Sequence, residues 1–544
     1  MNNKLKKLAF IGGKVYTPFG FKEAILTEGE RICFVGSSSE AESIADFNYE
    51  IIDLNGRTVI PGLCDSHIHF LAWASNTEKL NFKDSRSITD IRKKLSKFVN
   101  SLNDADNTDN FWIEGRGWNQ ELFDSNSKKM PTRYDIDDIV PEIPTVLSRV
   151  CGHVGVINTA AMQKLGINRD SKVSGGVIDL GADGEPNGIM RESALELVWN
   201  SIPSLDDDSL NHLLTKYGNI AASVGLTTLN SDDLSELNDD YNRAINFYSK
   251  AECEGKLPFR IRQQFLLRNS KMLREFLANG WRTGLGSKKY KIGPLKILCD
   301  GSLGGRTAFL REDYADSPGT RGIPIHSQED LDELVWLAHS SGTQVAMHAI
   351  GDATLDMCLN SIEKAKKLRK NSLRHIIVHC QIADDDQLLR LKQLGIGVAI
   401  QPCFVPSDRE MAKSRLGNDK ASRSYRWRTM IKNGIILSAG SDAPVESVSP
   451  LLGIHAAVTR QDENNRPYGG WVESEKLSVA EAINMYTWAS AWLANEENIR
   501  GEIVVGKLAD LVILEDDIFT IAPQNIKDIQ VSMTICGGNI TYKI

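Results

Sequence analysis

The chain has 544 residues, 41% of them hydrophobic and 25% charged, a globular composition too long for a single minimal domain. Its 63 basic and 71 acidic residues leave a net charge of −8 without long runs of either sign, which argues against nucleic acid or an anionic membrane as the main partner. Nine cysteines, an odd number with no Cys-x-x-Cys pair, argue against a disulfide framework or a zinc ribbon and fit a reducing compartment. No apolar run reaches the roughly 18 residues of a membrane span, and residues 1–8 are charged with no apolar stretch behind them, so the expected location is cytoplasmic.

In chain order, residues 1–59 read as short strands divided by turns (8–11, 13–16, 23–26, 31–36 and 49–54). Residues 501–544 return to that texture at 509–514 and 529–536, so a small β-sandwich built from both chain ends is expected. Between them, residues 60–500 alternate apolar β-like runs with helical stretches such as 330–339 and 353–368. The β-like runs lie near 144–150, 225–229, 260–265, 295–299, 343–348, 375–379, 397–400 and 435–439. This α/β pattern fits a closed TIM-like (β/α)8 barrel, with an open doubly wound sheet as the alternative. The irregular, Gly- and Asp-rich stretch from about 75 to 200 is expected to be an insertion after the first barrel strand that covers the mouth of the site.

The pentad Asp65-Ser66-His67-Ile68-His69 ends the run that opens this barrel. Residues i and i+2 of a strand share a face, so His67 and His69 can grip one cation, although two core histidines would look the same. Four further polar groups stand at the ends of apolar runs, where a barrel keeps its active site: Lys296, His348, His379 and Asp442. Each alone reads as a satisfied buried group. Together they form the imidazole and carboxylate set of a zinc-type hydrolase. A protonated lysine would repel a cation, which is resolved if the Lys296 amine has become a carbamate; the alternative is an ion pair of Lys296 with Asp300.

The chain resembles the amidohydrolase superfamily and, within it, the branch of N-substituted formamide deformylases (amidohydrolase 3 type). The motifs that carry the resemblance are His67-x-His69, Gly115-Arg116-Gly117-Trp118, Gly152-His153-Val154-Gly155, Gly184-Glu185-Pro186-Asn187-Gly188, Asp300-Gly301-Ser302-Leu303-Gly304, His348-Ala349-Ile350-Gly351-Asp352, Gly440-Ser441-Asp442-Ala443-Pro444 and Gly506-Lys507-Leu508-Ala509-Asp510. The resemblance implies a metal-binding hydrolase with two Zn2+ per chain. His67, His69 and Asp442 would hold one ion, His348 and His379 the other, and carboxylated Lys296 would bridge them. It implies further that metal-activated hydroxide attacks a non-peptide carbon–nitrogen bond of a small-molecule substrate such as an N-substituted formamide. Asp442 would be the catalytic proton shuttle.

Trp118, His153 and Arg306 are candidate substrate contacts, and Asp300 is a candidate to orient Lys296 or the glycine-rich loop after it. One departure is Val378, where the branch carries an acidic residue before the histidine. It removes a carboxylate that would orient His379. The alternatives are a cyclic amidase or deaminase on the same barrel, or a catalytically inactive binding protein; a homo-oligomer, a dimer, is expected.

Overall fold

A computed structural model describes residues 6–102, 111–124, 128–150 and 153–544. Residues 1–5, Cys151 and Gly152 therefore lie outside the described residues, and with them the first motif glycine before His153 and most of the charged N-terminal stretch. The chain forms two compact units, residues 1–72 with 207–544, and residues 73–206.

The larger unit begins and ends in a sandwich. Its four-stranded sheet runs Arg31–Gly36, Ala24–Glu28, Lys7–Ile11, Glu50–Asp53 and comes from the N-terminal part alone. Its six-stranded sheet runs Asn539–Lys543, Val531–Cys536, Leu511–Leu514, Thr58–Pro61, Lys14–Thr17, Gly20–Lys22, and so joins both chain ends. Alternation along Lys7–Ile11 sends Leu8 and Phe10 into the inter-sheet core with Val59, Leu511, Ile513 and Ile535. Ala9 and Ile11 face the opposite way, toward Ala41 of the helix Ser38–Ile44. Strand Gly20–Lys22, exposed along its length, carries none of that alternation and was not legible as a strand.

The middle of this unit is an eight-stranded, all-parallel sheet in sequential order: Leu63–Ile68, Leu226–Asp232, Arg260–Leu266, Tyr290–Leu298, Val345–Ala349, Ile376–His379, Gly397–Ile400, Leu437–Ala439. The sheet curls until its first and last strands meet: Asp442 N–H donates to the His67 carbonyl at 2.8 Å, and His69 N–H to the Ala443 carbonyl at 3.0 Å. This favours the closed barrel over the open sheet. Gly440 makes the seam possible, because a Cβ there would sit 2.5 Å from the His67 nitrogen. Asp65 braces the seam by accepting from Ser441 N–H at 3.0 Å and His67 N–H at 3.1 Å.

At the opposite, N-terminal end of the barrel strands the chain buries ion pairs instead of apolar groups. Glu496 takes Arg262 (2.7 Å), Lys291 (2.7 Å) and Arg500 (2.6 Å), while Arg260 forks onto Asp510 at 2.8 and 2.9 Å. The second pair ties a barrel strand to the sandwich.

The smaller unit is better ordered than its composition suggests. A six-stranded sheet runs Gly176–Leu180, Pro186–Glu192, Val154–Ile157, Thr145–Arg149, Ile113–Trp118, Leu80–Asn81. Leu147 points to one apolar cluster, with Phe82, Ile91 and Trp118, and Val146 to another, with Ile157, Met190 and Leu195. The expected run at 144–150 is thus a strand, but of this sheet and not of the barrel. Short strands broken by Gly and Asp turns concealed the sheet in the sequence.

Candidate metal centre

Every expected ligand sits at or just beyond the C-terminal end of a barrel strand, the end at which such barrels place their chemistry. His67 and His69 stand on the first strand and its exit, Lys296 near the end of the fourth, His348 on the fifth, His379 at the last position of the sixth, and Asp442 just past the eighth. His67 and His69 each have Nε2 3.4 Å from Asp442 Oδ1. Their candidate donor atoms all lie within 4.8 Å of one another, and among the described residues this is the one such cluster able to hold an ion. The rings of His348 and His379 are 4.5 Å apart, and the His379 ring is 5.8 Å from that of His67.

Lys296 joins the group directly: its Nζ lies 3.0 Å from His67 Nε2, and the side chain is buried. It makes no ion pair with Asp300. Burial pulls its pKa below the ordinary lysine value, despite nearby Asp232 and Asp442. The amine is thereby biased toward its neutral, nucleophilic form. Burial, and then Lys296, also drive His67 well below the usual histidine range, while His379 is pushed down to about 3 by burial and the neighbouring His348. Neutral imidazoles are the form that ligates a metal. For Asp442 burial works upward, but the hydrogen bond from His69 and the neighbouring His379 and Lys296 side chains outweigh it, so the carboxyl is held below its ordinary range.

The partners behind these rings decide which nitrogen is free. Asp300 accepts from His348 Nδ1 at 2.9 Å, and also from the backbone N–H groups of Ile350, Gly351 and Phe309 and from Thr354 Oγ1. It therefore orients His348 and the loop after the fourth strand, and not Lys296. The Asp232 carbonyl accepts from His69 Nδ1 at 3.0 Å. Gln401 Oε1 accepts from His379 Nδ1 at 2.6 Å and substitutes for the carboxylate that Val378 does not supply. In all three rings the Nδ1 proton is committed and Nε2 is left to bind a cation. The donor set of imidazoles, carboxylate and amine suits a divalent ion, and His67 Nδ1 is buried with no hydrogen-bond partner among the described residues. His379 and Asp442 both hold positive φ, 75° and 56°, a strained backbone of the kind that clusters at working sites.

Gln401 and Asp232 were not picked out from the sequence. Gln401 obeys the rule that places the others, a polar residue closing an apolar run, Val398-Ala399-Ile400-Gln401; Asp232 ends the strand Leu226–Asp232 behind the polar pair Asn230-Ser231 and carries no such signal.

The three candidate substrate contacts are placed differently. Trp118 is fully buried in the smaller unit, its indole N–H donating to the Leu147 carbonyl at 2.8 Å, an arrangement that makes it a packing anchor there. His153, exposed in the same unit, has Nδ1 3.0 Å from Glu192. Arg306 follows the fourth barrel strand, and its guanidinium forks onto Asp316 with two contacts of 3.0 Å.

A parallel barrel whose strand ends converge on a metal-binding cluster defines a metal-dependent hydrolase architecture, and comparison with known proteins gives the same class. The chain matches the amidohydrolase family (Amidohydro_3) over residues 50–542 and belongs to it, which makes it a hydrolase acting on carbon–nitrogen bonds. It is 34% identical over 544 residues to YtcJ of Bacillus subtilis (strain 168), with 99% of each chain covered. It is 25% identical over 544 residues to the N-substituted formamide deformylase of Arthrobacter pascens, covering 96% of this chain and 95% of that one. The crystal structure of an uncharacterized metal-dependent hydrolase from Pyrococcus furiosus is 28% identical, with a TM-score of 0.77 over 94% of this chain and 100% of that one.

Proposed function

We propose that the protein hydrolyses the amide bond of a small N-substituted formamide, with two zinc ions that His67, His69, His348, His379, Asp442 and a carboxylated Lys296 would hold. When bound, the ions supply Lewis acidity toward the carbonyl and lower the pKa of a water molecule to near neutrality. The observation that carries the reading is Lys296, a buried amine 3.0 Å from His67 Nε2 with no carboxylate in salt-bridge contact among the described residues. Its neutral nitrogen can attack the carbon of carbon dioxide and lose a proton, which leaves a carbamate whose two oxygens are good ligands. Charge then favours the product, since an anion replaces an uncharged amine beside the site.

Asp442 is the proton carrier in this reading. As an ionised carboxylate it takes the proton of the attacking water and passes it to the departing amine nitrogen, which leaves neutral instead of as an amide anion. Its strained backbone and the His67 and His69 contacts fix the carboxylate in place. Asp300, Gln401 and the Asp232 carbonyl hold three imidazoles in one tautomer throughout. The formamide choice rests on similarity to the Arthrobacter pascens deformylase.

The test is a screen of the purified protein over N-substituted formamides, longer acyl amides, hydantoins and aminated rings, followed by formate and amine release. Formate from the formamides supports the substrate. Turnover of hydantoins or ring amines, with formamides untouched, would replace it while leaving the metal centre in place.

A further inference from the structure

The barrel interior contains a cavity of about 30 Å³ whose wall includes Asn230, Gln264, Pro294, Ala346 and Val378. Asn230 precedes Asp232 by two residues on its strand, Pro294 precedes Lys296, and Ala346 precedes His348. Side chains two apart on a strand share a face, so this cavity lies one side-chain layer below the metal centre.

Two residues of the wall carry unsatisfied acceptors. Asn230 Oδ1 and Gln264 Oε1 belong to residues only 8% and 2% exposed, and neither oxygen has a hydrogen-bond partner among the described residues. The Gln264 amide nitrogen donates to the Asn230 backbone carbonyl at 3.3 Å, which fixes which end of that amide is free. A buried acceptor without a donor is costly, and native interiors rarely leave two around one cavity.

We propose that this cavity is a binding site for one ordered water molecule, which donates a hydrogen to each of Asn230 Oδ1 and Gln264 Oε1 and forms a permanent part of the barrel. The volume exceeds the roughly 10–15 Å³ that a water needs. Charge selects the occupant. A monovalent cation is disfavoured because Arg262 and Lys291 line the same cavity. An anion is disfavoured because the free groups are acceptors. The Arg262 guanidinium is already spent on Glu496 and on the carbonyls of Ile261, Lys288 and Lys289. A neutral double donor remains. The bridge joins the second and third strands just below the point where the Asp232 carbonyl holds His69, so it braces the ligand layer from beneath.

A high-resolution crystal structure of the full chain tests the site directly. Water density within hydrogen-bond distance of both oxygens is expected. An anomalous peak in the cavity after a bromide or thallium soak, or xenon bound there under pressure with no water density, would overturn the proposal. Oxygen-17 relaxation dispersion gives a second readout: the Asn230→Leu/Gln264→Met variant should hold one long-lived internal water fewer than the wild type. An unchanged count in that variant would also overturn it. Should the variant fail to fold, the crystallographic result on the wild type still decides.

Discussion

The backbone N–H of Asp442 donates to the carbonyl oxygen of His67 at 2.8 Å. The last expected ligand in the sequence is thereby hydrogen-bonded to the first, across the seam where the barrel closes. Closing the barrel and assembling the His67, His69 and Asp442 cluster are one structural event, so faults at the seam should be read out as lost metal.

Gly440→Ala tests that coupling. The added Cβ would meet the His67 nitrogen at 2.5 Å, Asp65 Oδ1 at 2.7 Å and the His67 carbonyl oxygen at 2.9 Å, two of them backbone atoms that cannot swing aside. Overpacking of this kind costs about 1–3 kcal/mol. The variant should melt earlier than the wild type and, while still folded, retain less metal. Normal metal content with only a lower melting temperature would separate the seam from the site.

Gln401 should matter as a positioner of His379. Gln401→Leu removes the acceptor on Nδ1, and loss of such a partner typically weakens metal binding by about 10–100-fold. Gln401→Glu keeps an acceptor there and should largely restore it. Metal titration of both variants, with circular dichroism to confirm folding, checks the pair; equal affinity in Gln401→Leu and the wild type would remove this role.

The Arg260–Asp510 pair should be structural only. Asp510 also accepts from Gly537 N–H at 2.7 Å, and its own carbonyl receives Gly62 N–H at 2.8 Å. Asp510→Ala leaves Arg260 buried without its partner, a loss worth about 3–5 kcal/mol. Denaturant unfolding should show that loss, with kcat of the folded fraction near wild type.

A second buried histidine pair sets an acid limit on stability. His375 Nδ1 accepts from Val345 N–H at 3.1 Å, its Nε2 meets His339 Nδ1 at 2.9 Å, and His339 Nε2 donates to the Arg369 carbonyl at 2.7 Å. Protonating either ring breaks this chain, and burial lowers both from the ordinary value of 6.5. The folded protein thus binds fewer protons than the unfolded one in mild acid. The pair's contribution is complete above about pH 6.5 and falls away as the pH drops toward the lower folded values. The melting temperature should be nearly flat from about pH 8 to 7 and decline below about 6.5. A His339→Gln/His375→Gln variant should decline less steeply; equal slopes would contradict the assignment.

Much of this architecture was legible because the barrel repeats one local rule. An apolar run ending in a polar residue marks both a buried parallel strand and its functional tip, and that rule placed His67, Lys296, His348, His379 and Asp442. The same rule fits Gln401, but a glutamine is not a usual metal ligand, while Asp232 ends a polar stretch and acts through its backbone carbonyl; the importance of both is visible only once the imidazole each one orients is in place. The sequence offers Asp300 two roles, orienting Lys296 or the glycine-rich loop; the strand ends at Leu298, and the chain brings His348 to Asp300 from the next strand. The inserted sheet was the least legible part: strands such as Val154–Ile157 and Leu80–Asn81 are too short for periodicity to register. Trp118, set in a glycine-rich motif, proved to be core.

If His67, His69, Lys296, His348, His379 and Asp442 together hold the metal on which hydrolysis depends, metal content and activity must fall together. Elemental analysis of the purified protein alongside an assay on the best substrate, comparing wild type with Asp442→Asn, reads both at once. About two equivalents of zinc per chain are expected in the wild type, with both metal and activity reduced in the variant. A wild-type chain that is free of metal after chelation and still fully active would show that hydrolysis does not depend on these ligands.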